Sequence, residues 1–377
     1  MSESFPDGKA NAARARALVK LFQLAGYGVT VLCDKQVPLT DYTPDYPVLT
    51  PKKTYSTKAG RFLFRSHEYK KTVCEVLKTK AISCVVAESM PDRVGPLLSL
   101  ARKKKIPFVL ESCEQFNPAT FRHGKHDIRY RRFMYAWKHL FVKADGVIAI
   151  SRYLQRFYDE KGIPTVRVPA ILETARMKVS EKQEETESIR LLYSGDMTGG
   201  KETMNEVFEA LSRIRDEKKK FRVGLYGPTE EQLKVSLTEK GKAARESLGD
   251  AVCAHGRVSQ SVMYERIHQS DYGIFIRPKR LSSEAGFPTK LGEYLAAGLP
   301  VITNDTGDIS LVVKDGENGF LTEPTTADKL EEIFRKIASM DKKDRAAMRV
   351  CARASAEQTL DPVVYADDIR VFFEKFV

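Results

Sequence analysis

The sequence predicts an α/β protein built from two doubly wound, parallel-sheet domains. Three observations carry that prediction. A chain of 377 residues is too long for one ordinary hydrophobic core, so two domains are the natural division. From residue 9 onward, short β-branched runs alternate with helical segments, which is the rhythm of strand-helix-strand crossovers. Residues 173–188, ETARMKVSEKQEETES, are polar, charged and without period, and read as a linker between two such halves.

In the first half, ANAARARALVKLFQLAGYG reads as a helix stopped at Gly26 or Gly28, and VTVLC at 29–33 as a buried strand. The tyrosine- and proline-rich stretch 38–56 interrupts the rhythm and reads as a surface loop. Then follow a helix near 66–79, strand ISCVVA, a helix near 92–104, strand PFVL, a helix near 127–143, strand GVIAIS, a helix near 152–160 and strand TVRV. The second half repeats the pattern: strand IRLLYSG, a helix from about 201, strand FRVGLYG, a helix near 229–245, strand AVCAH, a helix near 260–269 and strand YGIFIRP. Beyond Gly319 the pattern is mainly helical.

With 42% hydrophobic and 30% charged residues, the composition is that of a globular domain. No run approaches the ~18 apolar residues of a membrane span, and MSESFPDGKA has no signal-peptide core, so a cytoplasmic protein is expected. Six widely spaced cysteines without C-x-x-C read as buried free thiols.

The net charge of +12 is unevenly placed: residues 1–170 carry 30 Lys and Arg against 15 Asp and Glu, and the remainder 32 against 35. A basic half suits nucleic acid, an anionic membrane surface or phosphorylated ligands, and equally a merely solvated face. No RNP-type aromatic pattern, zinc finger or helix-turn-helix favours nucleic acid.

The most specific chemistry lies in residues 284–304, EAGFPTKLGEYLAAGLPVITN. Gly286 and Pro288 permit a tight turn, and Pro288 suits the first position of a helix. The backbone N–H groups of Gly286, Phe287, Thr289 and Lys290 are then expected to lie exposed at the positive end of the helix dipole, an anion site suited to a diphosphate. Glu293, one turn further in, can accept hydrogen bonds from sugar hydroxyls beside that phosphate, or simply stabilise the dipole.

The run Ile274–Leu321 resembles the donor-binding region of the family 4 (group 1) retaining glycosyltransferases of GT-B fold, in the branch associated with surface-polysaccharide assembly. Glu293, the Gly298-Leu299-Pro300-Val301-Ile302 strand and the Asp315-Gly316-Glu317-Asn318-Gly319 hairpin carry the match. The resemblance implies two Rossmann-like domains facing across a cleft. Residues 1–172 would be the acceptor-binding domain, 189–357 the nucleotide-sugar domain, and 358–377 a helix crossing back.

The sequence departs from the family pattern at its first Glu. Eight residues before Glu293 stands Ala285 where the family has its first Glu, and Glu284 is one residue early. Either Glu284 substitutes through a shifted loop, or the sugar is read by backbone N–H groups and Lys290.

The resemblance implies further site residues. YSGDMTGGKETMNEVFEAL places Lys201 at a helix start beside the diphosphate, while Asp196 fills the position of the family's arginine, with Arg277 or Lys290 able to supply the charge. Backbone groups around Arg257 and Val258 would meet the nucleobase, with His255 as a strand-end residue, and Gly8 would approach the donor phosphate or the acceptor. A strand ahead of that glycine loop has only five residues before Pro6, so a missing or cut first strand and a late start codon are expected unless another segment substitutes.

Glu111 and Glu114 follow a strand and are the candidate catalytic or acceptor-contacting carboxylates, beside a basic loop with Arg122, His123 and His126. Two histidines are too few for a metal site, and no D-x-D pair occurs, so no metal and no cofactor beyond the nucleotide-sugar co-substrate is expected.

The activity implied is a metal-independent transfer of a hexosyl unit to a glycan or lipid-diphosphate-linked glycan, in capsule, O-antigen or exopolysaccharide synthesis, at the inner face of an anionic membrane. The competing readings are a catalytically weakened binding subunit, motivated by Asp196 and Ala285, and a nucleotide-sugar 2-epimerase of the same fold.

Overall fold

The computed structural model describes residues 4–6, 10–39, 42–52, 58–179, 188–197, 200–214 and 220–376. Contacts divide the chain into two compact units. One comprises residues 1–173, 285–289 and 361–377, and the other 174–284 and 290–360.

The first unit contains β1 (Ser4–Pro6), α1 (Ala10–Leu24), β2 (Val31–Leu32), β3 (Lys35–Val37), β4 (Val48–Leu49), α2 (Lys58–Thr79), β5 (Val85–Glu88), α3 (Pro91–Lys104), β6 (Phe108–Ser112), α4 (Ile128–His139), β7 (Gly146–Ala149), α5 (Arg152–Asp159) and β8 (Thr165–Arg167). Strands β5, β6, β7 and β8 pair in that order, all parallel. Their runs are nearly all apolar because helices cover both faces, as burial of parallel sheets requires.

Two expectations are corrected here. The strand expected to be missing or cut ahead of the glycine loop is present in a short form: β1 pairs in parallel with β3, with Phe5 opposite Gln36, and Phe5 is buried against Val19, Val31 and Tyr46. The stretch 38–56 is not all surface loop, since Val48 and Leu49 pair with Val31 and Leu32 and Tyr46 is buried. Gly8, residues 53–57 and residues 180–187 of the expected linker lie outside the described residues. Of the rest of that linker, Thr174 and Met177 are buried.

The second unit contains β9 (Ser188–Ser194), α6 (Asn205–Arg213), β10 (Lys220–Tyr226), α7 (Glu230–Ser236), α8 (Glu239–Leu248), β11 (Val252–Gly256), α9 (Gln260–His268), β12 (Tyr272–Ile274), α10 (Leu281–Ala285), α11 (Thr289–Ala296), β13 (Val301–Thr303), β14 (Gly319–Leu321), α12 (Ala327–Ser339) and α13 (Lys342–Thr359). Its six strands are all parallel, in the order β11-β10-β9-β12-β13-β14. That is the doubly wound order 3-2-1-4-5-6, and its switch point lies between β9 and β12.

The single helix expected near 229–245 is two helices. Thr229 opens the first with a reciprocal capping box to Gln232, and Thr238 caps the second by accepting from Gly241 N. The helix expected from 201 begins at Asn205, so Lys201 stands on the preceding loop.

The final helix, α14 (Ala366–Phe373), belongs to the first unit, where Ile369, Phe372 and Phe373 pack against Ala17, Leu18 and Leu21 of α1 and Val109 and Ile148 of the sheet. Gly146 on β7 faces Phe372 and Phe376 so closely that a Cβ would lie 2.7 and 2.6 Å from their rings. All six cysteines are free, but Cys253 and Cys351 are exposed rather than buried as the sequence suggested. Among the described residues no helix is long and apolar enough to cross a membrane.

Candidate functional site

In a doubly wound sheet, ligands bind beyond the carboxyl ends of the strands at the switch point, because the loops diverge there and leave a crevice. In the second unit that place is formed by the loop after β9, the loop after β12 and the first turn of α11. Tyr294 on α11 fixes the end of β9: its hydroxyl accepts from Ser194 N at 2.8 Å and lies 2.8 Å from Ser194 Oγ. The chain turns at Gly195, whose φ of +150° is open only to glycine at little cost. A second glycine, Gly227, lets the loop after β10 approach so closely that a Cβ on it would lie 1.9 Å from the Gly195 carbonyl oxygen.

Lys290, in the first turn of α11, reaches back under this loop. Its Nζ donates to Glu202 Oε2 at 2.5 Å and lies 4.2 Å from the centre of the Tyr193 ring, while Tyr193 donates its hydroxyl to the same oxygen at 2.6 Å. The Lys290 and Glu202 side chains are only 13% and 9% exposed. Burial pushes the Lys290 ammonium below its ordinary value, opposed first by the Glu202 charge. Burial, and after it Glu202, hold the Tyr193 phenol well above its usual range, so it stays a proton donor.

Glu202 was missed in the sequence, where it is one more polar residue after a lysine. The fold brings it in because residue 203 bridges to residue 276, with Thr203 N donating to the Ile276 carbonyl at 2.9 Å.

A cavity of about 520 Å³ opens at the end of β12, lined by Glu202, Asn205, Arg277, Lys279, Arg280 and Asn304 among others. Asn304 clamps the Arg277 backbone with two bonds of 2.8 Å, to its N–H and from its own amide to the carbonyl. Glu284, the acid one residue out of register, accepts from Gly307 N at 3.0 Å and so braces the loop after β13. Glu293 is half-buried on α11, within the field of Lys290.

Other predicted residues fall elsewhere or in different surroundings. Lys201 is exposed on its loop rather than at a helix start. Asp196 faces Arg257 at 3.7 Å, with both side chains largely exposed, and Val258 is exposed beside them. His255 stacks on Tyr226 at 4.6 Å between ring centres.

The turn expected to present exposed N–H groups is buried at Ala285, Gly286, Phe287 and Pro288, leaving Thr289 half-buried. It groups with the first unit, where Ser151 Oγ donates to the Ala285 carbonyl at 2.7 Å. Packing of that apolar turn, invisible in its sequence, covers the backbone.

In the first unit Glu111 is not an open carboxylate. It is buried and ion-paired with Arg14 at 2.6 Å, and Cys113 Sγ lies 2.5 Å from the same oxygen. Glu114, three residues on, is half-buried in the loop leading to Arg122, His123 and His126, which are all exposed. Phe116 anchors that loop, its ring 4.7 Å from Phe133 and 5.7 Å from Phe121. Among the described residues no cluster of three or more His, Cys, Asp and Glu is placed to hold a metal ion.

Two α/β units of parallel sheet, the second in the doubly wound order with glycine-bordered switch-point loops, are the elements of the GT-B fold, and similarity to known proteins agrees with it. Residues 11–171 match the family described as Glycosyl transferase 4-like domain, and residues 176–354 the family described as Glycosyl transferases group 1. The chain therefore belongs to the group 1 glycosyltransferases of GT-B fold.

A curated relative, the amylovoran biosynthesis glycosyltransferase AmsK of Erwinia amylovora, is 24% identical over 255 residues, which is 64% of this chain and 60% of that protein. The match thus spans less than two thirds of the relative's length. Among solved structures, sucrose-phosphate synthase from Thermosynechococcus elongatus superposes with a TM-score of 0.71 at 15% identity over 99% of this chain and 95% of that one. The Anabaena Alr3699/HepE protein in complex with UDP and glucose gives 0.67 at 15% identity over 99% and 98%.

Proposed function

We propose that the chain is a retaining glycosyltransferase that moves a sugar from a nucleotide-sugar donor to a glycan or lipid-diphosphate-linked glycan acceptor in surface-polysaccharide assembly. The observation that carries this reading is the basic switch-point site of the second unit: Lys290 beneath the Gly195 loop and Arg277 beside it, in a chain whose two halves match glycosyltransferase families. The UDP-bound Anabaena structure and the amylovoran relative support the choice of donor class and pathway type.

In this reading the diphosphate lies over the β9 loop, with Lys201 and Lys290 offsetting its charge. The acceptor oxygen bonds to the anomeric carbon as the bond from that carbon to the diphosphate oxygen breaks. The acceptor proton passes to the departing phosphate oxygen on the same face. Electrostatic stabilisation of that leaving group is the largest contribution, with positive side chains in place of a metal ion and no cofactor. Glu293 holds donor hydroxyls. Arg257 and Val258 meet the base.

The basic excess of residues 1–170 supports a peripheral contact with an anionic membrane, which salt should release from acidic vesicles. Absence of binding to such vesicles at low salt would remove that part.

A thermal-shift screen of UDP-, GDP-, ADP- and CMP-sugars identifies the donor. Turnover by the wild type that is lost in Lys201→Ala and in Glu293→Ala supports transfer. Nucleotide-sugar binding without turnover under any acceptor favours the binding-subunit reading, which Asp196 at the expected arginine position motivates.

A further inference from the structure

We infer that Glu202 is a positioning residue that keeps Lys290 protonated and aimed at the Gly195 loop, so that a nucleoside diphosphate meets a preformed cation. The inference rests on the reading that the switch-point loop takes a diphosphate, and it adds the residue that makes Lys290 fit for that role.

The geometry leaves Lys290 little freedom. Its Nζ is held by Glu202 Oε2 at 2.5 Å, lies over the Tyr193 ring, and would be only 2.5 Å from a Cβ on Gly195. Glu202 is itself fixed, because Tyr193 donates to it at 2.6 Å and the neighbouring Thr203 is bridged to Ile276. A long lysine side chain normally loses rotamer freedom on binding an anion. Here that loss is already met in the folded protein.

Facing Lys290 are Glu202 on the loop ahead of α6, Tyr193 from β9, Arg277 past β12 and Glu293 on α11 itself. Burial and Arg277 both act to discharge the lysine, whereas Glu202 and Glu293 act to keep it charged. Glu202 is the largest favourable contributor and the one in direct contact, so its removal shifts the balance toward neutral lysine. An arriving diphosphate then has to bring the proton back.

The test is calorimetric titration with UDP, and with GDP in parallel, on wild type, Glu202→Gln and Glu202→Asp, at pH 6.5 and pH 8.5 in two buffers of different ionisation enthalpy. Wild type is expected to bind with little proton uptake and a shallow pH dependence. Glu202→Gln should lose about tenfold or more in affinity at pH 8.5 and less at pH 6.5, with proton uptake at the higher pH. Glu202→Asp, which keeps the charge, should recover the wild-type proton balance.

A folded Glu202→Gln protein with unchanged affinity at both values overturns the inference, and so does one that binds more tightly, which would make Glu202 a competitor for the lysine. If Glu202→Gln does not fold, the wild type itself carries the test: marked proton uptake on binding UDP at pH 8.5 means that the folded protein does not hold Lys290 protonated, and overturns the inference. Failure of the wild type to bind either diphosphate sinks the functional reading itself, a result distinct from all of these.

Discussion

Arg14 on α1 and Glu111 at the end of β6, 97 positions apart in sequence, form a buried ion pair 2.6 Å long. The guanidinium also donates to the backbone carbonyls of Val168 and Pro169, the former at 3.1 Å, so one side chain ties α1 to two strand ends. Removing one partner strands the other charge in the interior. Glu111→Ala is expected to cost about 3–5 kcal/mol in urea unfolding, while the paired change Arg14→Met with Glu111→Leu should cost far less. Equal losses in both proteins would mean that the pair is held by something other than charge compensation.

Gly195 and Gly227 make the switch-point loops touch. Alanine at Gly195 has to adopt a φ of +150° and push aside the Lys290 ammonium, and alanine at Gly227 drives a Cβ into the Gly195 carbonyl. Each substitution is expected to destabilise by at least ~1–3 kcal/mol. Gly195→Ala should also weaken UDP binding by more than its effect on melting temperature accounts for. Wild-type UDP affinity in a folded Gly195→Ala protein would show that the loop does not meet the ligand.

Thiol accessibility gives a pH prediction with a definite sign. Burial pushes Cys33 up to about 11 and Cys84 up to about 12, so both stay protonated in the folded state while an unfolded thiol ionises near 9. A raised folded value means that the contribution is fully present below pH 9 and is lost as pH climbs through 11 and 12. Unfolding free energy should therefore fall between pH 8 and pH 10, by up to ~1 kcal/mol for Cys33, and the fall should be smaller in Cys33→Ala. At pH 8, mass spectrometry after iodoacetamide treatment should find Cys253 and Cys351 labelled well before Cys33.

The ring of Phe373 lies 5.7 Å from that of Phe22 and 5.2 Å from that of Tyr27, so the last helix is a structural part of the first unit. Phe373→Ala is expected to cost about 3–5 kcal/mol, read as a lowered melting temperature. An unchanged melting temperature would mean that α14 is dispensable.

The sequence by itself determined the α/β class, the strand-helix alternation, the free thiols and the motif around Glu293, because period, turn residues and local spacing are properties of consecutive residues. It also determined the resemblance that the family matches now support. Where it went astray, the deciding contacts were distant in the chain. The three residues of β1 pair with β3 and set Phe5 against Val19, Val31 and Tyr46, contacts that no local pattern announces.

Only the tertiary structure decided the allotment of charges. Lys290 meets Glu202 across 88 positions and Arg14 meets Glu111 across 97, and in both cases burial makes the pairing compulsory, since an isolated interior charge costs several kcal/mol. A sequence records that an acid and a base exist. The crossing of β9, β12 and α11 at the switch point selects Glu202, which carries no motif, as the partner of the lysine at the site.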